Sequence, residues 1–503
     1  MTGETAGGST AAGLVVAGTS SDAGKSLVVA GLCRVLARRG VAVAPFKAQN
    51  MSNNSMVCVD GSEIGRAQYL QAQAAGVTAE SAMNPVLLKP GSDRRSFVVV
   101  RGQPYGTLEA GQYATGRRQL AEAAFAAFTE LAERFDVIIC EGAGSPAEIN
   151  LRAGDYVNLG LARRFELPMM IVGDIDRGGV LASIFGTIGL LDPDDRAVIK
   201  AYLINKFRGD QTVLDPGLEM LSERTGVPCA GVLPWLPELW LDSEDTLAVG
   251  SVRRSTAPEA ALRVAVVRLP RISNATDVDA LASEPGIDVT VTTDPGVVAA
   301  ADLVVLPGSR STVSDLGWLR ERGIAAVLAD RAARRQPVLG ICGGYQMLAR
   351  TIDDPVESGV GPVDGLGLLP TTIDFSPDKT LGRPVGTWRG HQVAAYEIHH
   401  GVAKPTTALD TGDVEPFLDG WCVGQVWGTM WHGTLENDDF RRQWLAEIAA
   451  AAGSGWQTDP AAPAFAERRE RMINSLADAL EEHADLGLIT GLTRIGPIGT
   501  GRR

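Results

Sequence analysis

Cys342 lies in Gly340-Ile341-Cys342-Gly343-Gly344-Tyr345-Gln346, directly after the apolar run Pro337-Val338-Leu339. A strand that ends in a thiol, turns on small residues and opens a helix has the form of a nucleophile elbow, with sulfur in place of a serine hydroxyl. Such a turn exposes the sulfur and a helix N-terminus favours a thiolate, so the chemistry on offer is covalent nucleophilic catalysis. A buried structural thiol is the alternative, and the strand-turn-helix setting argues against it. The nucleophile needs a base, and the chain has five histidines, at 391, 399, 400, 432 and 483. His432, in Gly428-Thr-Met-Trp-His432-Gly433, closes an apolar segment just before a turn, where its ring would project at a sheet edge. His399 and His400 form a second cluster, but metal binding there lacks a third ligand at a recognisable spacing. The turn Gly308-Ser309 after Val-Val-Leu-Pro, together with Gly343, is placed to offer backbone N–H groups to an oxyanion, unless it is a plain βα turn.

A second centre is written near the start. Gly18-Thr19-Ser20-Ser21-Asp22-Ala23-Gly24-Lys25-Ser26 joins an apolar strand to a helix, the setting in which backbone N–H groups hold phosphate. Lys25 would face the β- and γ-phosphates of ATP, and Ser26 would reach Mg²⁺. The loop departs from the usual pattern, with Thr19 where glycine is common and Gly18 one place early. Glu141 ends the strand Val137-Ile-Ile-Cys140 at the carboxyl edge where open α/β sheets bind ligands, and is a Mg²⁺ ligand or organiser unless it is a solvated strand-end acid. Lys47 closes Val41 to Phe46 in the same way; it would neutralise phosphate charge, or else is a surface lysine. With seven lysines in the chain, two beside this loop invite the functional reading.

These residues must be positioned by two series of alternating strands and helices. Strands read at 14–18, 41–46, 135–144, 167–174 and 197–206, with a helix over 26–40, predict one doubly wound, mainly parallel α/β domain. A second series at 262–270, 287–293, 301–309 and 337–348 predicts another. The expected division is a disordered start (1–12), a first α/β domain (13–248), a linker (249–262), a second domain (263–452) and a C-terminal amphipathic helix with a glycine-rich tail (453–503). Apolar residues at 45% and charged residues at 21% suit folded domains. The net charge of −14 has the wrong sign for neutralising nucleic-acid phosphate, so a DNA or RNA binder is disfavoured. Six scattered cysteines without a C-x-x-C pair suggest a reducing compartment. With no leader-like start and no run of 18 apolar residues, the chain reads as cytoplasmic and off the membrane. Oligomeric state is not readable.

The GICGGYQ elbow, the VVLPGS turn and His432 resemble the class I, triad-type glutamine amidotransferase domain, and GTSSDAGKS resembles the nucleotide loop of dethiobiotin synthetase-like enzymes. Ser20 stands where partitioning-type ATPases place a second lysine, which argues against a dimerising switch. The pair of domains on one chain is similar to the cobyrinic and cobyric acid synthases of cobalamin biosynthesis. Five segments favour the cobyric branch: Pro45 to Asn54, Glu141 to Leu151, Asp174 to Gly179, Asn205 to Asp210, and Tyr396 to His399. The resemblance spans about 12–450. It implies amidation of the b, d, e and g carboxylates of adenosylcobyrinic acid a,c-diamide, with glutamine as nitrogen donor and one ATP per amide.

By the same resemblance Gln49, Asn50, Asn53, Asn54, Asp176 and Arg177 would line the synthetase site, and Asn205 would read the adenine edge. Thr19, Ser20, Asp22 and Gly24 would join Lys25, Ser26 and Lys47 around the nucleotide. The fuller triad has a glutamate two residues after the histidine; here that residue is Thr434, so His432 has no assigned orienting acid, and Glu436 is near but off pattern. A corrinoid polycarboxylate meets a chain of net charge −14, so its recognition would rest on local arginines and amides. The nearest rival is the a,c-diamide synthase, against which Pro45 to Ser55 argues. A regulatory P-loop ATPase with a degenerate amidotransferase-like module is disfavoured because Cys342, His432, Lys25 and Ser26 are all present.

Overall fold

The computed structural model describes residues 12–91, 95–109, 113–236, 239, 261–406 and 413–494. The expected disordered start and linker fall almost wholly outside the described residues, as does the end of the tail.

Six apolar runs form the first sheet: β1 (Gly13–Gly18), β2 (Val43–Phe46), β3 (Val137–Glu141), β4 (Met169–Asp174), β5 (Ile199–Phe207) and β6 (Cys229–Pro234). Their order is β6-β5-β4-β1-β3-β2 and every pairing is parallel. A parallel sheet is covered on both faces, which is why these strands are apolar throughout instead of alternating. Along β1, Leu14 and Val16 enter one core while Val15 and Ala17 enter the other. The central β1 runs through the phosphate loop into helix α1 (Lys25–Arg38), and its neighbour β3 ends in Glu141 at the same edge.

The second sheet comprises β7 (Leu262–Val267), β8 (Ile287–Thr292), β9 (Leu303–Leu306), β10 (Val338–Ile341), β11 (Val414–Phe417), β12 (Gly420–Val423) and β13 (Val426–Thr429). In the order β8-β7-β9-β10-β13-β12-β11, the first five strands are parallel and the last two add an antiparallel edge. Both sheets match the doubly wound, mainly parallel fold expected from the sequence.

Two four-stranded sheets lie outside that pattern. One joins Gln49–Met51, Val86–Pro90, Arg95–Val100 and Gln103–Glu109; the other joins Val360–Asp364, Thr351–Asp354, Thr371–Gly382 and Glu397–Pro405. A short hairpin, Ser55–Val57 with Glu63–Gly65, leads into helix α2 (Arg66–Ala75). The elbow helix is α3 (Gly343–Leu348).

The amphipathic segment near the C-terminus is helix α4 (Phe465–His483), and it returns to the first sheet. Met472, Ile473, Leu476 and Leu480 share a core with Val28, Val29 and Leu32 of α1. Each such side chain, fully buried, stabilises by about 1.5–3 kcal/mol, so α4 is part of the N-terminal core rather than an appendage. The approach is close: a Cβ on Gly31 would stand 2.5 Å from Leu480 Cδ1. Arg38 pairs with Asp478 at 2.6 Å along the rim. No helix among the described residues is long and apolar enough to cross a membrane.

Candidate active sites

At the N-terminal edge, the loop after β1 closes through Asp22 and Gly24, both at positive φ (60° and 94°). Lys25 Nζ donates to Ser20 O at 2.9 Å, within the loop. Asn205 stands behind it, where its Nδ2 donates to Ala23 O at 3.0 Å and so braces the turn. Lys206, which the sequence reading passed over, donates to Asp22 O at 2.9 Å and to Asp174 Oδ2 at 2.7 Å, tying the loop to the end of β4. Arg177 approaches Asp22 at 3.8 Å, and Asp176 pairs with Arg208 at 3.4 Å.

Glu141 is fully buried and gathers four donors. Ser26 Oγ and Lys47 Nζ each reach Oε1 at 2.8 Å, and Gln71 and Gln68 reach Oε2 at 2.6 and 3.3 Å from α2. Burial alone would raise its pKa; Lys47 first, then Gln71 and Lys25, reverse this and hold the carboxyl below its ordinary range. Glu141 and Lys47 are thus one buried ion pair, neither a solvated strand-end acid nor a surface lysine. The structure brings Ser26, Lys47 and Glu141 together as the sequence suggested.

In the segment Gln49 to Asn54, three side chains bond within the N-terminal half and one leaves it. Gln49 accepts from Tyr156 OH, Asn50 Nδ2 donates to Gln68 Oε1 at 2.8 Å, and Asn53 Nδ2 donates to Pro90 O at 3.4 Å. Asn54, 1% exposed, turns to the C-terminal half, where its Oδ1 accepts from Ala275 N at 3.2 Å.

At the second sheet, Cys342 sits between β10 and α3 with φ 49° and ψ −108°, a strained non-glycine turn of the kind that presents a nucleophile. The glycines after it are required by close approach. A Cβ on Gly343 would lie 2.6 Å from Ser309 N, and one on Gly344 would lie 1.9 Å from Leu306 O. The Gly308-Ser309 turn therefore runs against the elbow, and Gly308 pairs with Ser273 across a two-stranded bridge. Ser309 Oγ donates to buried Asp315 at 2.7 Å, and burial pushes that carboxyl up to about 6.

His432 follows β13, is 1% exposed, and lines one cavity together with Cys342. Its Nδ1 meets Asp277 Oδ2 at 2.7 Å, and Asp277 Oδ1 accepts from Gly433 N at 2.8 Å. Burial would depress the imidazole pKa, but the Asp277 carboxylate and then the Cys342 sulfur lift it to about 10. Asp277 is thus the carboxylate that meets His432, which the sequence reading did not find. Thr434 is buried in the turn that follows, and Glu436 points away to Arg66 at 2.6 Å and Arg469 at 3.0 Å. Tyr396 lies under the imidazole, rings 5.3 Å apart and 22° from parallel, and the two residues exchange both backbone hydrogen bonds.

His399 and His400 also reach this neighbourhood. Both line the cavity over Cys342, with Lys89 contributed by the N-terminal half. His400 Nδ1 bonds Ser376 O at 2.9 Å, and burial lowers its pKa. Lys89 and Lys379 grip buried Glu63 from opposite halves of the chain; burial would raise that carboxyl, and the two ammonium groups hold it far below its ordinary range. No group of three or more His, Cys, Asp or Glu side chains among the described residues is arranged to hold a metal ion.

A thiol, imidazole and carboxylate on one sheet and a phosphate loop on the other define a class. Residues 14–247 match the CobQ/CobB/MinD/ParA nucleotide binding domain, and residues 263–440 match the CobB/CobQ-like glutamine amidotransferase domain. The chain is a glutamine amidotransferase joined to a nucleotide-using amide ligase. It is 64% identical over 487 residues to the cobyric acid synthase of Cutibacterium acnes, covering 96% of this chain and 100% of that one. It is 56% identical to that of Mycolicibacterium gilvum, covering 97% of each chain, and 55% identical to that of Streptomyces avermitilis, covering 96% of this chain and 97% of that one. The chain belongs to the cobyric acid synthase family.

Proposed function

We propose that this chain amidates the b, d, e and g side-chain carboxylates of adenosylcobyrinic acid a,c-diamide, drawing ammonia from glutamine and consuming one ATP per amide, as a cytoplasmic step of cobalamin biosynthesis. The observation that carries the reading is one chain holding both the Cys342–His432–Asp277 constellation and a phosphate loop backed by Glu141.

In the glutaminase half, the Cys342 thiolate attacks the glutamine amide carbon, and the oxygen gains charge beside the Gly308 and Gly343 backbone. Imidazolium His432, held by Asp277 at Nδ1, donates its other proton to the departing nitrogen, and ammonia leaves. The now neutral imidazole takes a proton from water, which cleaves the glutamyl thioester and releases glutamate.

In the synthetase half, a carboxylate is a poor electrophile until ATP converts it to an acyl phosphate, from which ammonia displaces phosphate. Thr19, Ser20, Asp22 and Gly24 form the loop for the phosphates, Lys25 turns from Ser20 O to the transferred group, and Asn205 and Lys206 keep the loop in shape. Magnesium takes oxygen ligands, keeps several waters and needs one or two protein donors, which the Ser26 hydroxyl and Glu141 carboxylate fit. Bound there, it would supply charge neutralisation to the phosphoryl group. Lys47, already at Glu141, is placed to share that charge with the phosphates. Gln49, Asn50, Asn53, Asp176 and Arg177 are the side chains we assign to the corrinoid approach.

The test is mass spectrometry of adenosylcobyrinic acid a,c-diamide incubated with the protein, MgATP and glutamine, beside Cys342→Ala given either glutamine or ammonia. Stepwise gain of four amides, with the variant failing on glutamine and working on ammonia, supports the assignment. An unchanged corrinoid under all conditions refutes it.

A further inference from the structure

We infer that Asn54, supplied by the N-terminal half, is a positioning residue for the glutaminase constellation of the C-terminal half. The inference rests on the function proposed above and adds to it a dependence of glutamine cleavage on a side chain of the synthetase half.

The contact is reciprocal. Asn54 Oδ1 accepts from Ala275 N at 3.2 Å, and Ser55 N donates to Asn274 Oδ1 at 2.8 Å. All four residues are buried, so neither bond competes with water. Asn54 is itself fixed, because its own N–H donates to Ser52 Oγ at 3.0 Å.

What the clasp holds is strained. Asn274 stands at φ 50°, ψ 43°, in the left-handed region that asparagine tolerates better than most residues but that still costs energy outside glycine. Such a conformation persists only where its surroundings over-determine it. Directly after it comes the tight turn Ala275–Val278, and within that turn Asp277 spends both carboxylate oxygens on His432 Nδ1 and Gly433 N. Directly before it, Ser273 pairs with Gly308 of the candidate oxyanion turn. Five consecutive residues, Ser273 to Asp277, therefore set the acid and the oxyanion turn, and the bonds from Asn54 and Ser55 land in their middle.

The same hairpin backs the imidazole from its other side. Val57 packs with Tyr396 and Ile398, and Tyr396 is the ring stacked on His432. At its root the segment is tied to the nucleotide centre, since Asn50 bonds Gln68, and Gln68 and Gln71 bond Glu141.

The experiment uses the full-length chain with Asn54→Ala, Asn274→Ala and the double variant. Glutamate release is measured against glutamine concentration and pH, and corrinoid amidation is driven by saturating ammonia with MgATP. We expect each single variant to lose about 10- to 100-fold in glutaminase kcat, the cost of a misplacement near 1 Å. KM for glutamine stays near wild type, the alkaline limb of the pH profile moves down as Asp277 loosens from His432, and ammonia-driven amidation is unchanged. The double variant loses no more than the worse single one, because both remove one clasp. Wild-type glutaminase kinetics in Asn54→Ala overturn the inference, as does a raised corrinoid KM in the ammonia-driven reaction, which would make Asn54 a substrate contact. If wild-type protein itself releases no glutamate, the proposed function fails first, before any variant is compared.

Discussion

Replacing Asp277 with asparagine preserves shape and removes charge. Asparagine can still accept from Gly433 N through its oxygen, but the group it then turns toward His432 Nδ1 is a donor, so the ring is driven to the tautomer with its proton on Nε2, facing Cys342. That tautomer cannot take the thiol proton. The magnitude follows from the imidazole, which the site lifts from 6.5 to about 10, worth about 5 kcal/mol at ~1.4 kcal/mol per pH unit. Asp277 is the larger of the two favourable causes, ahead of the Cys342 sulfur, so at least half of that is forfeited. A loss of about 3–5 kcal/mol in transition-state stabilisation is roughly 10²- to 10⁴-fold in kcat, in line with an aspartate-to-asparagine change in a serine triad. The assay is glutamate release from glutamine, with ammonia-driven amidation as the measure of intact folding. A variant within about fivefold of wild-type kcat would refute Asp277 as the orienting acid.

Four further outcomes can be checked. Glu436→Gln breaks the contact with Arg66 and Arg469 without touching His432; thermal midpoint should fall while glutaminase kcat stays within about tenfold, and a loss near 10³-fold would make Glu436 the orienting acid instead. Thr434→Glu restores the commoner triad spelling, yet its side chain is buried near Asp277, so a second carboxylate there should lower both stability and kcat; a faster enzyme would contradict the geometry. Lys25→Ala, or chelation of magnesium in the wild type, should suppress amidation with either nitrogen source by at least ~10³-fold while basal glutamate release persists. Asp315 has a folded pKa of about 6 against 3.8, so the native state binds its proton more tightly and stability falls as pH rises from about 4 to 6. Asp315→Asn keeps an acceptor for Ser309 and Arg271 and should be up to about 3 kcal/mol more stable than wild type above pH 6 but equal below pH 4, read by denaturant titration at both pH values.

The two reactive loops were legible because each is a local event. The phosphate loop and the Cys342 elbow are both strand-turn-helix units whose glycines and apolar runs lie within a dozen residues. Lys47 and Glu141 were legible one step further out, since residues at the carboxyl ends of parallel strands share one edge and β2 lies beside β3. Asp277 was not, because it stands 155 residues from His432 in a turn with no apolar period to mark it. The sequence offers Glu436 as the nearer acid, and the fold turns it to Arg66 and Arg469. A C-terminal amphipathic helix over 463–488 was plain from its pattern, although the helix ends at His483 and a second begins at Leu486, and nothing in that pattern says that its apolar face covers α1. The strand Gln49–Met51 and the hairpin strand Ser55–Val57 escaped because each is three residues long, too short to show an alternating pattern. Asn54 entered the sequence reading through the resemblance, which put it with the synthetase site, and nothing in the sequence shows that its loop also reaches the second half.

The second sheet explains why an acid from so far along the chain can replace one beside the histidine. Its strand order places β7, β9, β10 and β13 side by side and parallel, so the segments leaving their carboxyl ends emerge on one edge. The segment after β7 carries Asp277, the turn after β9 carries Gly308, the elbow after β10 carries Cys342, and β13 is followed by His432. Each strand contributes one part, and the sheet fixes their order across the site whatever the distance along the chain. A carboxylate brought from the β7 side reaches His432 Nδ1 from a loop that the N-terminal half also grips through Asn54 and Ser55. An acid two residues after the histidine would be held by its own turn alone. By taking the acid from the gripped loop instead, this chain makes the geometry of glutamine cleavage depend on the half that uses the ammonia.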